Sequence, residues 1–130
     1  MQKQAKNDTT KSEAKIQQEI VQWYRNTYCL KHYNPRCMIF SIPNEGRAAA
    51  SAQLIATGLY GGCADLMVFH VKRPITIGYE ETQPLFFEIK TPTGIQSTKQ
   101  KHFEVHACDI CVPYHIVRSL DEFKQVIENL

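Results

Sequence analysis

A chain of 130 residues with a formal net charge of +2 has room for one hydrophobic core, but not for separate catalytic and recognition modules. Its five cysteines, at positions 29, 37, 63, 108 and 111, are odd in number and scattered, which suits reduced thiols and argues against a disulfide framework. No apolar run is long enough to span a membrane, and the polar start 1–12 has no apolar leader segment; the expectation is a cytoplasmic protein with a flexible polar tail, 1–11, and one domain, 12–130.

Ser12 is a suitable N-cap for a helix over 12–28, where Ile16, Ile20, Val21, Trp23 and Tyr24 recur at helical spacing. At about 100° per residue Glu13 and Gln17 fall within that apolar face and Glu19 near its edge, so Glu13 is expected to look inward and Glu19 to be solvated. Residues 38–42 predict a short strand, ended by the turn chemistry of Pro43-Asn44-Glu45-Gly46. The alanine-rich stretch 47–57 predicts a helix closed by Gly58. Residues 66–71 and 85–89 predict adjacent strands, and the polar segment 72–84 between them a hairpin tip with some strand of its own. Thr91-Pro92-Thr93-Gly94 then breaks the chain, Ser97 caps a helix to about residue 108, and 114–117 alternates as a strand. A closing amphipathic helix, 120–130, carries Phe123, Val126, Ile127 and Leu130 on one side. Helices alternating with strands around a hairpin predict an α/β fold, a central mixed β-sheet flanked by helices.

Two carboxylates sit at the edges of the apolar runs: Asp65 in Gly61-Gly62-Cys63-Ala64-Asp65-Leu66, and Glu88 in Phe86-Phe87-Glu88-Ile89-Lys90. On a strand Glu88 and Lys90 project to one face while Ile89 points into the core, so a hard oxygen ligand stands beside a fixed positive charge. Phosphodiester hydrolysis uses that combination, with a carboxylate-held divalent metal to activate water and an ammonium to orient it. Mg²⁺ or Mn²⁺ is the cofactor expected, since Mg²⁺ keeps several waters and needs only one or two carboxylates.

Each residue also has a plainer reading. Aspartates before strands commonly cap turns, and Glu-x-Lys pairs commonly form solvated ion pairs; the apolar neighbours Leu66, Met67, Val68, Phe86, Phe87 and Ile89 argue for burial instead. Glu13 suits a helix N-terminus on dipole grounds alone, and Gln100, by spacing, suits a helix surface. Cys108 and Cys111 with His102 and His106 raise a zinc site, but the second Cys-x-x-Cys of a zinc ribbon is missing. There is no Ser-His-Asp triad, phosphate loop or dinucleotide turn.

Five segments in order, Glu13-Ala14-Lys15-Ile16-Gln17, Ile42-Pro43-Asn44, Gly61-Gly62-Cys63-Ala64-Asp65-Leu66, Phe87-Glu88-Ile89-Lys90-Thr91 and Gln96-Ser97-Thr98-Lys99-Gln100, resemble the VRR-NUC family, virus-type replication-repair nucleases of the PD-(D/E)xK superfamily. The chain is similar to the compact stand-alone form of phages and bacteria, and Val117-Arg118-Ser119-Leu120-Asp121 to the family's closing strand and turn. The resemblance implies a restriction-endonuclease-like core. It makes Asp65 and Glu88 metal ligands, Lys90 the catalytic lysine, Glu13 a contact to metal or its waters, Gln100 an organiser of the site and the Ile89 carbonyl a further metal ligand. Ala64 departs from the family's frequent proline. Members of this kind act as homodimers on branched DNA such as Holliday junctions, in a bacterial or phage-infected cytoplasm. Asn44, Arg47, Lys72, Arg73, Lys99 and Lys101 are the candidate DNA contacts, suited to phosphates and not to bases. The other readings are a non-catalytic DNA-binding or assembly domain on the same fold, and a restriction-type or exonuclease activity at the same site.

Overall fold

In the computed structural model, residues 10–29, 37–43, 52–72 and 80–130 are described. Alternating burial lays down the central hairpin. In β2 (Leu66–Lys72), Leu66, Val68 and His70 are buried on one face while Met67 and Phe69 are half-buried on the other; β3 (Glu81–Ile89) answers with buried Leu85, Phe87 and Ile89. The pair is antiparallel, from Leu66 opposite Phe87 to Lys72 opposite Glu81. β1 (Met38–Ser41) adds an antiparallel edge to β2, and β4 (Tyr114–Val117) runs parallel to β3. The sheet order is β1-β2-β3-β4. A parallel neighbour needs a crossover, which α3 (Thr98–Asp109) provides.

Helices cover both faces. α1 (Glu13–Tyr24) begins at Ser12, whose hydroxyl accepts the Lys15 N–H, and buries the stripe Ile16, Ile20 and Tyr24. α4 (Leu120–Glu128), capped by Ser119, shares that face: the Phe123 ring lies 4.6 Å from Phe87 and about equally far, 6.1 and 6.0 Å, from Trp23 and Tyr24. The opposite face carries a smaller core of Cys63, Ala64, Phe103 and Ala107, with Phe86 and Tyr114 packed on it. α2 (Ala52–Ala56) is exposed and closes at Gly58, whose φ of +110° is open to glycine. The architecture is an α/β fold with a four-stranded mixed sheet flanked by four helices.

Three features depart from the sequence reading. The first helix leaves regular α geometry at Tyr24 and widens into a π-type turn over Arg25–Cys29, where the Thr27 hydroxyl donates to the Trp23 carbonyl at 2.6 Å and competes with the backbone ladder. β3 starts at Glu81, four residues before the apolar alternation, because the ladder with β2 carries Glu81, Thr82 and Gln83 without help from hydrophobicity. Buried His70 has no counterpart in the sequence reading: its Nδ1 pairs with the Tyr24 hydroxyl at 2.9 Å, and burial holds the imidazole pKa below its ordinary value. The five cysteines are free thiols, those at 29, 37 and 63 buried. Among the described residues no helix is long and apolar enough to cross a membrane.

Candidate active site

The β2–β3 ladder ends with Leu66 opposite Phe87, and one further step along this register brings Asp65 opposite Glu88. Both then belong to the face covered by α3, since Leu66 and Phe87 point to the α1–α4 side. Asp65 is tied down where the strands run out. Its Oδ2 accepts the Ile89 N–H at 2.8 Å, and its carbonyl accepts the Ile42 N–H at 2.9 Å, so it joins the ends of β1 and β3.

Glu88 is 1% exposed. Its Oε1 accepts a 2.7 Å hydrogen bond from Gln100 Nε2 and lies 3.6 Å from the Lys90 ammonium. Its Oε2 is buried and has no hydrogen-bond partner among the described residues. A carboxylate oxygen left this way costs about 1–3 kcal/mol or more. Burial first, then the charge of Asp65, push the Glu88 pKa up to about 8 against the opposing pull of Lys90. Two carboxylates against one ammonium leave a net negative charge when all are ionised. Either a proton or a cation must complete the site.

The supports come from three directions. Gln100 belongs to the capping box of α3: its Oε1 accepts the Ser97 N–H at 2.8 Å while Ser97 Oγ accepts the Gln100 N–H. With the amide oxygen on a backbone donor, its nitrogen has to face the carboxylate. Gly62, at φ +82°, lets the loop bearing Asp65 meet the first turn of α3. A Cβ there would stand 2.7 Å from the Gln100 backbone nitrogen and closer still to the Lys99 carbonyl group. Lys90, 7% exposed, donates its N–H to the Val117 carbonyl, so β4 fixes the residue from behind. Tyr114 lies nearby, its hydroxyl accepting from Gln96 Nε2 at 3.3 Å; burial, and the charges of Glu88, Glu104 and Asp65, raise its pKa. The Cys63 thiol is pushed up to about 11, by burial first and by Glu88 second, and stays protonated.

Asp65, Glu88, Lys90 and Gln100 therefore converge, and Ile89 sits between them as the last residue of β3 with its side chain in the core. Glu13 does not join them. It occupies the first position of α1 and is exposed, because the buried stripe begins one turn later at Ile16; Glu19, expected to be solvated, is instead partly covered and bonded to Lys11 at 2.7 Å. Lys72, expected near the mouth, ends β2 opposite Glu81, roughly 20 Å along the strand from Leu66. Lys99 and Lys101 are exposed on the first turns of α3, Lys99 with its stem beside Gly61. Asn44, Arg47 and Arg73 lie outside the described residues. Cys108, Cys111, His102 and His106 form no ligand group: among the described residues no three His, Cys, Asp or Glu side chains are placed to hold a metal.

The residues present fit a divalent cation of the waters-retaining kind. Asp65 and Glu88 would hold it, the unpartnered Oε2 supplying the oxygen, with the rest of the shell from water and the Ile89 carbonyl. Among the described residues a cage of three or more acidic side chains, as a fully protein-ligated calcium site requires, is not assembled. Gly62, Gln96 and Tyr114 are additions to the sequence reading; of these, Gly62 was visible as a glycine pair just before an aspartate.

Comparison with known proteins leaves the chain unassigned: no family profile, no curated protein and no solved structure matches it.

Gly62→Ala places a side chain at positive φ against the α3 backbone and is expected to cost at least about 1–3 kcal/mol in denaturant unfolding; stability equal to wild type would contradict the close approach. Below its folded pKa of about 8 and above its ordinary 4.5, Glu88 keeps in the native state a proton that the unfolded chain has lost. This contribution to stability is full below pH 4.5 and is lost as pH rises through about 8. Thermal melts of metal-free protein should therefore fall towards alkaline pH, and Glu88→Gln should flatten that fall. Parallel pH profiles would show that Glu88 titrates normally.

Proposed function

We propose that the protein is a Mg²⁺- or Mn²⁺-dependent DNA endonuclease that hydrolyses phosphodiester bonds in branched DNA, at a Holliday junction or flap. The observation that carries this reading is the buried Glu88 carboxylate, whose Oε1 lies 3.6 Å from the buried Lys90 ammonium while its Oε2 has no hydrogen-bond partner among the described residues. Among the described residues no hydrogen bond satisfies that oxygen; a proton shared with Asp65 does so in the metal-free site, and a hard cation takes its place.

Asp65 and Glu88 would hold the metal, which would supply Lewis-acid polarisation of a phosphoryl oxygen and a more acidic water. The protein does the rest by position. Asp65, fixed through the Ile89 N–H, and Glu88, fixed through Gln100, present their oxygens without reorganising. Lys90 holds positive charge over the reacting phosphate and orients the water. Lys99 and Lys101, exposed on α3 on either side of Gln100 in sequence, suit backbone phosphates. Lysines of this kind grip phosphates and read no bases, which favours selection by DNA shape. Branched substrates, a homodimer whose paired sites address two strands, and a cytoplasmic setting in bacteria or phage-infected cells rest solely on the resemblance of five short segments to stand-alone VRR-NUC nucleases.

Linear, flapped and four-way DNA, each assayed with Mg²⁺, Mn²⁺ or EDTA, test the reading. Metal-dependent cutting of branched forms is expected; binding without any cutting would favour a non-catalytic domain. Lys90→Ala should keep the fold and DNA binding but lower cleavage by about 10²–10³-fold or more. Asp65→Asn should weaken Mn²⁺ binding by calorimetry; an unchanged isotherm would remove its ligand role.

A further inference from the structure

We infer that Arg118 is a positioning residue, clamping the turn after Lys90 so that the Lys90 ammonium is held against Glu88. The inference rests on the reading of Lys90 as the working amine of the site, and the geometry stands on its own.

Lys90 leaves β3 into a tight turn in which the Gly94 N–H donates to the Thr91 carbonyl at 3.1 Å. This turn forms part of the cover over Lys90. A Cβ at Gly94 would stand 3.4 Å from Lys90 Cδ and 3.1 Å from Thr91 Oγ1, so the glycine backbone lies directly along the lysine stem. No regular structure holds the turn itself. Arg118, the first residue after β4, does so: its Nη1 donates to the Thr91 carbonyl at 2.6 Å and to the Gly94 carbonyl at 2.7 Å, bridging the two ends of the turn. Both are charge-assisted bonds in a half-buried setting.

The other side of Arg118 is fixed as well. Its backbone N–H donates to Glu122 Oε2 at 2.6 Å, while the Glu122 N–H donates to Ser119 Oγ at 3.1 Å, so the cap of α4 sets the residue from which the clamp reaches. A small cavity bounded by Ile16, Pro92, Ser119 and Leu120 adjoins Arg118, and shortening the side chain opens the turn to it. The chain of support runs from the α4 cap through the guanidinium and two carbonyls to the lysine. Because a single nitrogen reaches both carbonyls, a lysine ammonium with its three donors can replace it.

The test compares Arg118→Ala, Arg118→Lys and Ser119→Ala, the last loosening the α4 cap while leaving the arginine in place. Reductive methylation of Lys90, followed by peptide mass spectrometry on the metal-free full chain, reads its protection without reference to activity. Methylation is expected to accelerate at least about tenfold in Arg118→Ala, to stay near wild type in Arg118→Lys, and to rise only about twofold in Ser119→Ala, where the guanidinium still reaches both carbonyls. On a DNA substrate that the native protein cuts, Arg118→Ala should lower kcat by about 10–100-fold with KM within about twofold, and Arg118→Lys should recover most of it. Equal Lys90 exposure in Arg118→Ala and Ser119→Ala at matched melting temperature would reduce Arg118 to general stabilisation and overturn the inference, as would undiminished protection in Arg118→Ala. If the native protein cuts no DNA while Lys90 protection follows the expected order, the clamp stands and the nuclease reading falls.

Discussion

The structure turns on one buried carboxylate with more negative charge around it than the described residues neutralise. Glu88 is enclosed at the end of β3, opposite Asp65, with Gln100 and Lys90 both directed at the same one of its oxygens. The other oxygen has no hydrogen-bond partner among the described residues. Burying such a group is expensive, and a fold that only needed a strand residue at position 88 would be more stable with an apolar one. The arrangement makes sense if the site is completed from outside by a cation, which converts two repelling acids into two ligands and makes the protonated state of Glu88 the resting alternative to the metal-bound one.

The fold and the site share their supports. Asp65 is at once a candidate ligand and the residue that satisfies the Ile89 N–H where the ladder stops. Gln100 caps α3 with one end of its amide and holds Glu88 with the other. Gly62 allows that helix to approach the Asp65 loop at backbone distance. Local stability at this end of the sheet is therefore inseparable from the geometry of the acids, and groups held by strand ends and a helix cap have little freedom to drift.

What was legible in the sequence followed from period and spacing. The order of helices and strands is visible where elements alternate or repeat, as α1, β2 and α4 do, and the Glu88-x-Lys90 pair declares its common face through the period of two. Asp65 was legible from its apolar neighbours. Gln100 was named by resemblance alone, since spacing puts it on a helix surface, although Ser97-x-x-Gln100 carries the capping-box pattern that determines where its amide points. Glu13 misled because angular position on a helix says nothing about where the covering layer ends: it shares the stripe of Ile16 and Ile20 but precedes the first buried turn. Lys72 misled for a related reason, since closeness in sequence to a hairpin strand does not say which end of the strand faces the site. Arg118 and Gly62 act through long-range backbone contacts, which leave no periodic trace.

The most direct measurement is a crystal structure of the protein soaked in Mn²⁺, with the metal located by its anomalous scattering. The account places a peak between Glu88 Oε2 and the Asp65 carboxylate, at about 2.1 Å from the ligating oxygens, with waters completing the shell. A saturating soak that leaves this position empty, with Glu88 still buried and protonated beside Lys90, would contradict it.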